Sequence, residues 1–450
     1  MHAVIVLTKA YKKALCWLSN DLRLHDNPVI ADSHSGAEEV AHVFFLGDAL
    51  RAASMPGVTG ASTLRRQFLL QALQDLEAQL SERSQRLIVM DGRASENLGL
   101  LISRFGFDAI FSANHAAVDE SRCRHFMSQA YPQISWHFPD VQSIYCRDRL
   151  PFEWKFMPAQ FTPFRKAIES SSASPRDIVA KVNWSESLHA SDLGISLATT
   201  VSAGLTGDFQ GGERAALDHV DSYFSSDAPL EYKQTRNSLE GFSKSTKFSP
   251  WLAQGSLSPL KVLEKLRRYE ADVEANDSTY WIWFELLWRE FFYWNGLRVG
   301  SRLFQKNGDK SRRILNTFYP ERYKAWCEGT TPWPIVNAIM IELRETGYIT
   351  NRARQIAASC FVNELELDWR YGAAYFESQL LDYEPCANWG NWQYQAGVGA
   401  DPRGKRHFNL EKQADQFDPD ETYRHRWLSN SSSTPLLTID SRDAADWPIS

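Results

Sequence analysis

Asp382, Glu384 and Asn388 sit close together in W-R-Y-G-A-A-Y-F-E-S-Q-L-L-D-Y-E-P-C-A-N-W-G-N-W-Q-Y, residues 369–394. They are short polar side chains between apolar neighbours, with Trp369, Trp389, Trp392 and Tyr394 around them. Carboxylates and an amide can fix the edge of a heterocycle by hydrogen bonds, because buried polar groups need partners. Tryptophans beside a redox-active ring can give it electrons. Gly390, between two tryptophans, lets the backbone approach something flat. For this stretch alone two readings stand open: a ligand pocket, or an aromatic core turn with exposed acids.

A second group lies on the helical run W-I-W-F-E-L-L-W-R-E-F-F-Y-W, residues 281–294. On a 3.6-residue period Trp281, Glu285, Trp288, Arg289 and Phe292 share one broad face. Glu285 and Arg289 are expected to pair at i, i+4. That pair is either a structural ion pair or the charged lining of a tryptophan-walled pocket, and burial demands further partners. T-N-R-A-R-Q (350–355) opens another helix, with Thr350 or Asn351 as its N-cap. Arg352 and Arg354 lie about 200° apart around that helix. One can face solvent or phosphate, whereas an inward Arg354 needs a carboxylate, and Asp382 is a candidate. The hydroxyls and N–H groups of S-T-K-F-S (245–249) suit a phosphate nest or simple capping. The basic loop 401–409, with Arg403 and Arg406, is a solvated loop or a phosphate-contacting rim. The polar residues after the run ending at Leu18 suit helix capping, which covers Asp26 and Asn27, while Arg23 and Asp26 are also open to a ligand.

These residues need elements to position them. Before residue 140, short apolar runs at Ala14–Leu18, Val40–Leu46, Leu87–Met90 and Ala109–Phe111 alternate with helical patterns at Ser62–Leu80, Glu96–Phe105 and Asp119–Ala130. That alternation predicts an α/β domain with a parallel, Rossmann-like sheet over 1–140. Neither a G-x-G-x-x-G nor a Walker loop is present. A Ser-, Gly- and Thr-rich connection follows over 141–212, running over the surface or between domains. From residue 213 the pattern is helical: Glu213–Phe224, Pro259–Glu270, Thr279–Trp294, Pro334–Thr346, Asn351–Leu365 and Trp369–Leu381, with 232–258 mostly loop. An all-α C-terminal domain over 213–427 and a flexible tail over 428–450 complete the division.

The 450 residues carry net charge −6, so a nucleic-acid site must be a local basic patch. The load of 16 Trp, 16 Tyr and 25 Phe invites a planar ligand or stacked bases. Six scattered cysteines without a CxxC fit reduced thiols in a cytoplasmic protein, with no disulfide frame or metal site. No run reaches membrane-spanning length.

Read together, Y-K-Q-T-R-N (232–237), the stretch 245–259, D-S-T-Y-W…F-E-L-L-W-R-E-F-F (277–292), N-R-A-R-Q (351–355), the opening stretch and D-P-R…R-H-F-N…K-Q (401–413) resemble the photolyase/cryptochrome family, specifically DASH cryptochromes. Six such stretches in the right order, spread over 14–427, carry the resemblance. It implies U-shaped FAD in the helical domain. Tyr232, Arg236, Ser245, Thr246, Lys247, Phe248 and Ser249 match phosphate and ribityl contacts. Glu285 and Arg289 match pocket residues, and Asn351, Arg354, Asp382, Glu384 and Asn388 surround the flavin. The implied reaction is light-driven splitting of cyclobutane pyrimidine dimers, with Glu285, Trp288 and Asn388 catalytic and Trp392 and Trp369 feeding electrons. Trp288, Arg352, Gln355, Tyr394, Arg403 and Arg406 would contact substrate.

Tyr394 and Gln355 replace the Trp and Met of duplex-repairing relatives, which points to single-stranded DNA as the partner. The third tryptophan position falls at Asn316 by gapless count, leaving Trp326, Trp333, Tyr319 or Tyr323 as outer donors. Glu384 replaces the usual Asp and Ser19 a frequent Arg. Ala116 and Val118 stand where relatives that bind the folate antenna 5,10-methenyltetrahydrofolate carry a carboxylate. A monomer is expected. A blue-light signalling receptor is the rival reading, and a light-independent flavoprotein a third.

Overall fold

A strand that is apolar on both faces must be covered on both. β1 (Tyr11–Leu18) buries Ala14, Cys16 and Leu18 in one core and Leu15 and Trp17 in another. In this computed structural model, which describes residues 9–51, 55, 58, 60–188, 197, 208–311, 316–401 and 406–429, β1 is the centre of a parallel sheet. Its companions are β2 (Ala37–Phe45), β3 (Leu87–Met90), β4 (Ala109–Ser112) and β5 (Ser135–His137), in the order β3-β2-β1-β4-β5, with β6 (Glu186–Ser187) beside β2. The helices α1 (Pro28–Gly36), α2 (Leu46–Ala49), α3 (Thr63–Ser81), α4 (Ala94–Phe105) and α5 (Val118–Ala130) lie in the crossovers. The strand order reverses between β1 and β4, which opens a crevice at their carboxyl ends.

The expected strands and helices of this domain appear within a few residues of their expected limits. The pattern does not reveal α1 or β5. α1 is short and begins at Asn27, whose side chain accepts from Val29 N and Ile30 N at 3.0 and 3.3 Å.

The stretch after residue 140 is less superficial than its composition suggests. α6 (Phe161–Glu169) buries Phe161, Phe164 and Ile168 in the helical core. Residues 189–196 and 198–207 of that stretch, Arg403 and the tail from 430 lie outside the described residues.

The helical part comprises α7 (Glu213–Phe224), α8 (Ala228–Thr235), α9 (Ser249–Gln254), α10 (Pro259–Asp272), α11 (Asp277–Val299), α12 (Pro320–Glu328), α13 (Pro334–Thr346), α14 (Asn351–Ser359), α15 (Trp369–Gln379), α16 (Pro385–Ala396), α17 (Leu410–Phe417) and α18 (Thr422–Leu428). Two expectations change here. Tyr232 lies on the helix α8 and not in a loop, and the helix from Asn351 passes into a π-turn at Cys360–Glu364.

Arg23 and Asp26 join the two halves. Buried Arg23 donates to Gly255 O at 2.8 Å and Val141 O at 3.1 Å. Asp26 pairs with Arg176 at 2.6 Å and accepts from Ser258 Oγ. Glu213 accepts from Leu24 N at 2.6 Å and His25 N at 3.0 Å.

Glu290 on α11 ties in the post-sheet segment. It is wholly buried and accepts from Ile144 N at 2.8 Å and Trp294 Nε1 at 3.3 Å. Burial pushes its carboxyl from the ordinary 4.5 up to about 7. The folded protein therefore keeps a proton that the unfolded chain has lost. This stability is fully present below about 4.5 and is lost as the pH rises to about 7. Glu290→Gln should flatten that fall, worth up to about 3 kcal/mol at 1.36 kcal/mol per pH unit, in urea melts at pH 5 and pH 8.

Candidate functional site

The face of α11 that carries Glu285 packs against α8. Ser278 Oγ donates to Gln234 Oε1 at 2.9 Å and accepts from Lys233 N at 3.1 Å. This packing brings Arg236, at the end of α8, onto Glu285: Nη1 to Oε1 is 2.5 Å, with the guanidinium 5.3 Å from the Trp281 ring centre. The expected Glu285–Arg289 pair is thereby corrected. Arg289 instead donates to Gln142 O at 2.5 Å and lies 3.6 Å from Glu290. The reason is tertiary: an incoming guanidinium satisfies Glu285, while the carbonyl of Gln142 needs a donor. Desolvation raises the Glu285 pKa against the pull of Arg236, although 31% of its side chain is accessible. A deeply placed group that is still accessible faces an internal hole.

The second wall is built by α14 and the turn before α16. Thr350, not Asn351, caps α14, accepting from Ala353 N at 3.4 Å. Arg354 turns inward and donates to Ile349 O at 3.0 Å and to Asp382 Oδ2 at 2.7 Å, the candidate carboxylate. The other oxygen of that buried carboxylate, Oδ1, has no partner among the described residues. An orphaned buried acceptor of this kind calls for a ligand with a matching donor. Asn388 donates Nδ2 to Ala373 O at 2.9 Å, which leaves Oδ1 for such a ligand. Asn351 is exposed and Gln355 half-buried.

The third wall is the loop before α9. Lys247 is buried with φ +53°, next to Phe248 at φ −74°. His219 Nε2 fixes the loop by contact with Thr246 O at 2.8 Å. The N–H groups of Ser245, Thr246, Lys247 and Phe248 donate to no acceptor among the described residues. Such a row of free N–H groups beside a lysine is an anion nest. Burial lowers Lys247 from 10.5 to about 8. Tyr348, which the residue spacing does not single out, lies between two cations, 4.8 Å from Lys247 Nζ and 5.4 Å from Arg354 Cζ.

The remaining expected residues are placed as follows. Tyr232 is buried on α8. Trp288 stacks on Phe161 at 3.7 Å and meets Tyr394 edge-on at 5.9 Å. Arg406 lies 4.5 Å over the Tyr394 ring, bonds its hydroxyl at 2.5 Å and pairs with Asp401 at 2.7 Å. Arg352 lies 4.7 Å over the Phe417 ring. Glu384 accepts from Cys386 N and Ala387 N at 3.0 and 2.6 Å, so both its oxygens cap α16. The flat object against Gly390 is Phe292: a Cβ there would lie 2.5 Å from its ring. Trp392 and Trp369 are buried on α16 and α15.

These features fit a flavin dinucleotide: a nest and lysine for its diphosphate, and the acceptor oxygens of Asp382 and Asn388 for its ring edge. FAD affinity, measured by flavin fluorescence, should therefore be constant below about pH 8 and fall above it as Lys247 loses its proton. Lys247→Met should weaken binding roughly tenfold and abolish that pH dependence.

Comparison with known proteins follows the same lines. Residues 14–181 match the family model described as DNA photolyase, and residues 281–447 that of the FAD binding domain of DNA photolyase. A protein of Idiomarina loihiensis named cryptochrome DASH is 45% identical, over 99% of this chain and 98% of its own. One of Vibrio parahaemolyticus with the same name is 41% identical, over 97% of each. The solved structure of a Synechocystis cryptochrome superposes with a TM-score of 0.87 at 34% identity, over 93% of this chain and 88% of that one.

Proposed function

From the chain's membership of the DNA photolyase family, among the proteins named cryptochrome DASH, we propose that this blue-light flavoprotein repairs cyclobutane pyrimidine dimers in single-stranded DNA. Asp382, Arg354, Asn388, Tyr232 and the 245–249 loop hold FAD. When bound in its reduced form and excited by blue light, FAD supplies the electron that opens the cyclobutane ring.

The chain's own residues place the dimer. The observation that carries this reading is Glu285, a carboxyl raised by desolvation at the edge of the hole and fixed by Arg236. It presents a hydrogen-bonding group to the pyrimidine carbonyls, where negative charge accumulates once the electron arrives, and stabilises it there. The corner between Trp288 and Tyr394 offers aromatic surface to the splayed bases. Arg352 and Arg406 carry positive charge near the rim.

Preference for single strands follows from the same wall. Tyr394 is bonded through its hydroxyl to Arg406, and Gln355 adds an amide, so this side of the hole is polar. Less apolar surface is covered when a base pair is opened, and extruding a dimer from a duplex costs a few kcal/mol. A folate antenna, the second cofactor the resemblance implies, would have to bind without a carboxylate at Ala116 or Val118. Six unpaired cysteines favour a reducing compartment such as the cytoplasm.

Repair of a dimer-containing oligothymidine under blue light, with chemically reduced enzyme, tests this. Single strands should be repaired at least about tenfold faster than the same dimer in duplex, the difference a cost of a few kcal/mol produces. Equal rates would reject the preference, and no repair of either would reject the activity. Glu285→Ala should lower splitting about a hundredfold while leaving the flavin spectrum unchanged.

A further inference from the structure

The expected inner electron donors lead to an unexpected third residue. Trp392 lies against Gly372, where a Cβ would come 2.3 Å from its Cη2, and Trp369 is one turn away on the same helix. Asn316 does lie beside Trp369: Lys306 bonds Asn316 O through Nζ at 2.8 Å and accepts from Trp369 Nε1 at 3.0 Å. An amide cannot be oxidised there. The ring that does contact Trp369 is Trp389, at 5.8 Å and 77°.

Trp389 differs from Trp369 and Trp326 in two ways. First, its Nε1 donates to a carboxylate oxygen, Glu377 Oε2, at 3.0 Å, whereas Trp369 and Trp326 donate to backbone carbonyls. An indole that has lost an electron is a far stronger acid than a neutral one, and a carboxylate can take its proton. Desolvation makes the Glu377 carboxylate more basic than an ordinary one, although Tyr383 and Arg65 oppose this. Second, Trp389 and Glu377 line a cavity of about 700 Å³ at the carboxyl ends of the strands. Arg51 and Asp119, 48% and 57% exposed, stand at its margin and open it to solvent. Leu381 and Tyr383 line it too, while Asp382 between them pairs with Arg354 at the flavin hole. The cavity is thus on the opposite side of the 381–383 segment from the proposed substrate.

We propose that Trp389, with Glu377 as its proton acceptor, is the outer member of the relay that reduces the cofactor, and that a small soluble thiol refills it from this cavity. One electron passes from Trp389 to oxidised Trp369, and the Nε1 proton moves to Glu377. A thiol then returns one electron to Trp389 and gives its own proton to solvent, Glu377 returns the indole proton, and two thiyl radicals formed in this way combine into one disulfide. The role rests on the proposed flavin function but concerns only how the reduced state is reached.

Blue-light reduction of the holoprotein with dithiothreitol, combined with electron paramagnetic resonance of the trapped radical, tests it. Trp389→Phe should slow photoreduction by an order of magnitude or more and remove the indole radical signal, while Trp326→Phe changes neither. Flavin content and dimer repair after dithionite reduction should stay unchanged in Trp389→Phe. Undiminished photoreduction in Trp389→Phe, or an equal loss in Trp326→Phe, overturns the proposal. In Glu377→Gln the transient indole radical should remain cationic where the parent protein shows the neutral form. Identical radical spectra would overturn the role of Glu377 independently. Failure of repair in the dithionite-reduced parent protein would instead strike the proposed function and leave the relay to be judged by its radical.

Discussion

A guanidinium sunk among aromatic helices cannot stand without a carboxylate, and the Arg354–Asp382 pair at 2.7 Å meets that demand. Much of the site follows from it. The pair draws the start of α14 to the turn before α16, a link reinforced by Leu381 N to Gly347 O at 2.9 Å. With Asp382 held inward, Leu381 and Tyr383 are directed to the cavity on the other side. One short segment thereby separates a polar hole from a second, solvent-reaching space. The unpaired Oδ1 of Asp382 remains as the side of the carboxylate that the protein does not use.

The same logic governs the other charges in this aromatic surrounding. Glu285 is matched by Arg236, and Lys247 lies over Tyr348 within the field of Glu342 and Asp382. Each charge is partly compensated and none is fully saturated. Such a site is built before its ligand arrives, with residual capacity left in fixed directions. Preorganised donors and acceptors of this kind need little rearrangement at the moment of reaction, which suits chemistry consisting of electron movement alone.

The junction between the two halves uses residues whose sequence context suggested capping. Arg23 spends its donors on four carbonyls from three places in the chain, including Gly255 in the helical half. Asp26 gathers Arg176 and Ser258. A buried charge satisfied by distant segments locks those segments together. That rigidity keeps the strand-end cavity against Trp389, because the cavity's lining is drawn from both halves.

Periodicity alone was enough to place four of the parallel strands, the long aromatic helix and the helix that carries Arg354, because burial on both faces or on one stripe leaves a regular mark along the chain. The Arg354–Asp382 pair was legible for a related reason: two arginines a known angle apart cannot both face water, and few acids stood within an apolar context. Helices α8 and α16 left a fainter mark, because polar residues interrupt their apolar stripes. The partner of Glu285 was misread, since helical spacing offers Arg289 while packing delivers Arg236 from a different helix. Nor could spacing tell that Glu384 spends its oxygens on Cys386 N and Ala387 N, or that Trp389 meets Trp369 and a carboxylate at the edge of a cavity. Those contacts join residues with no periodic relation, and their distances exist only after the helices have packed.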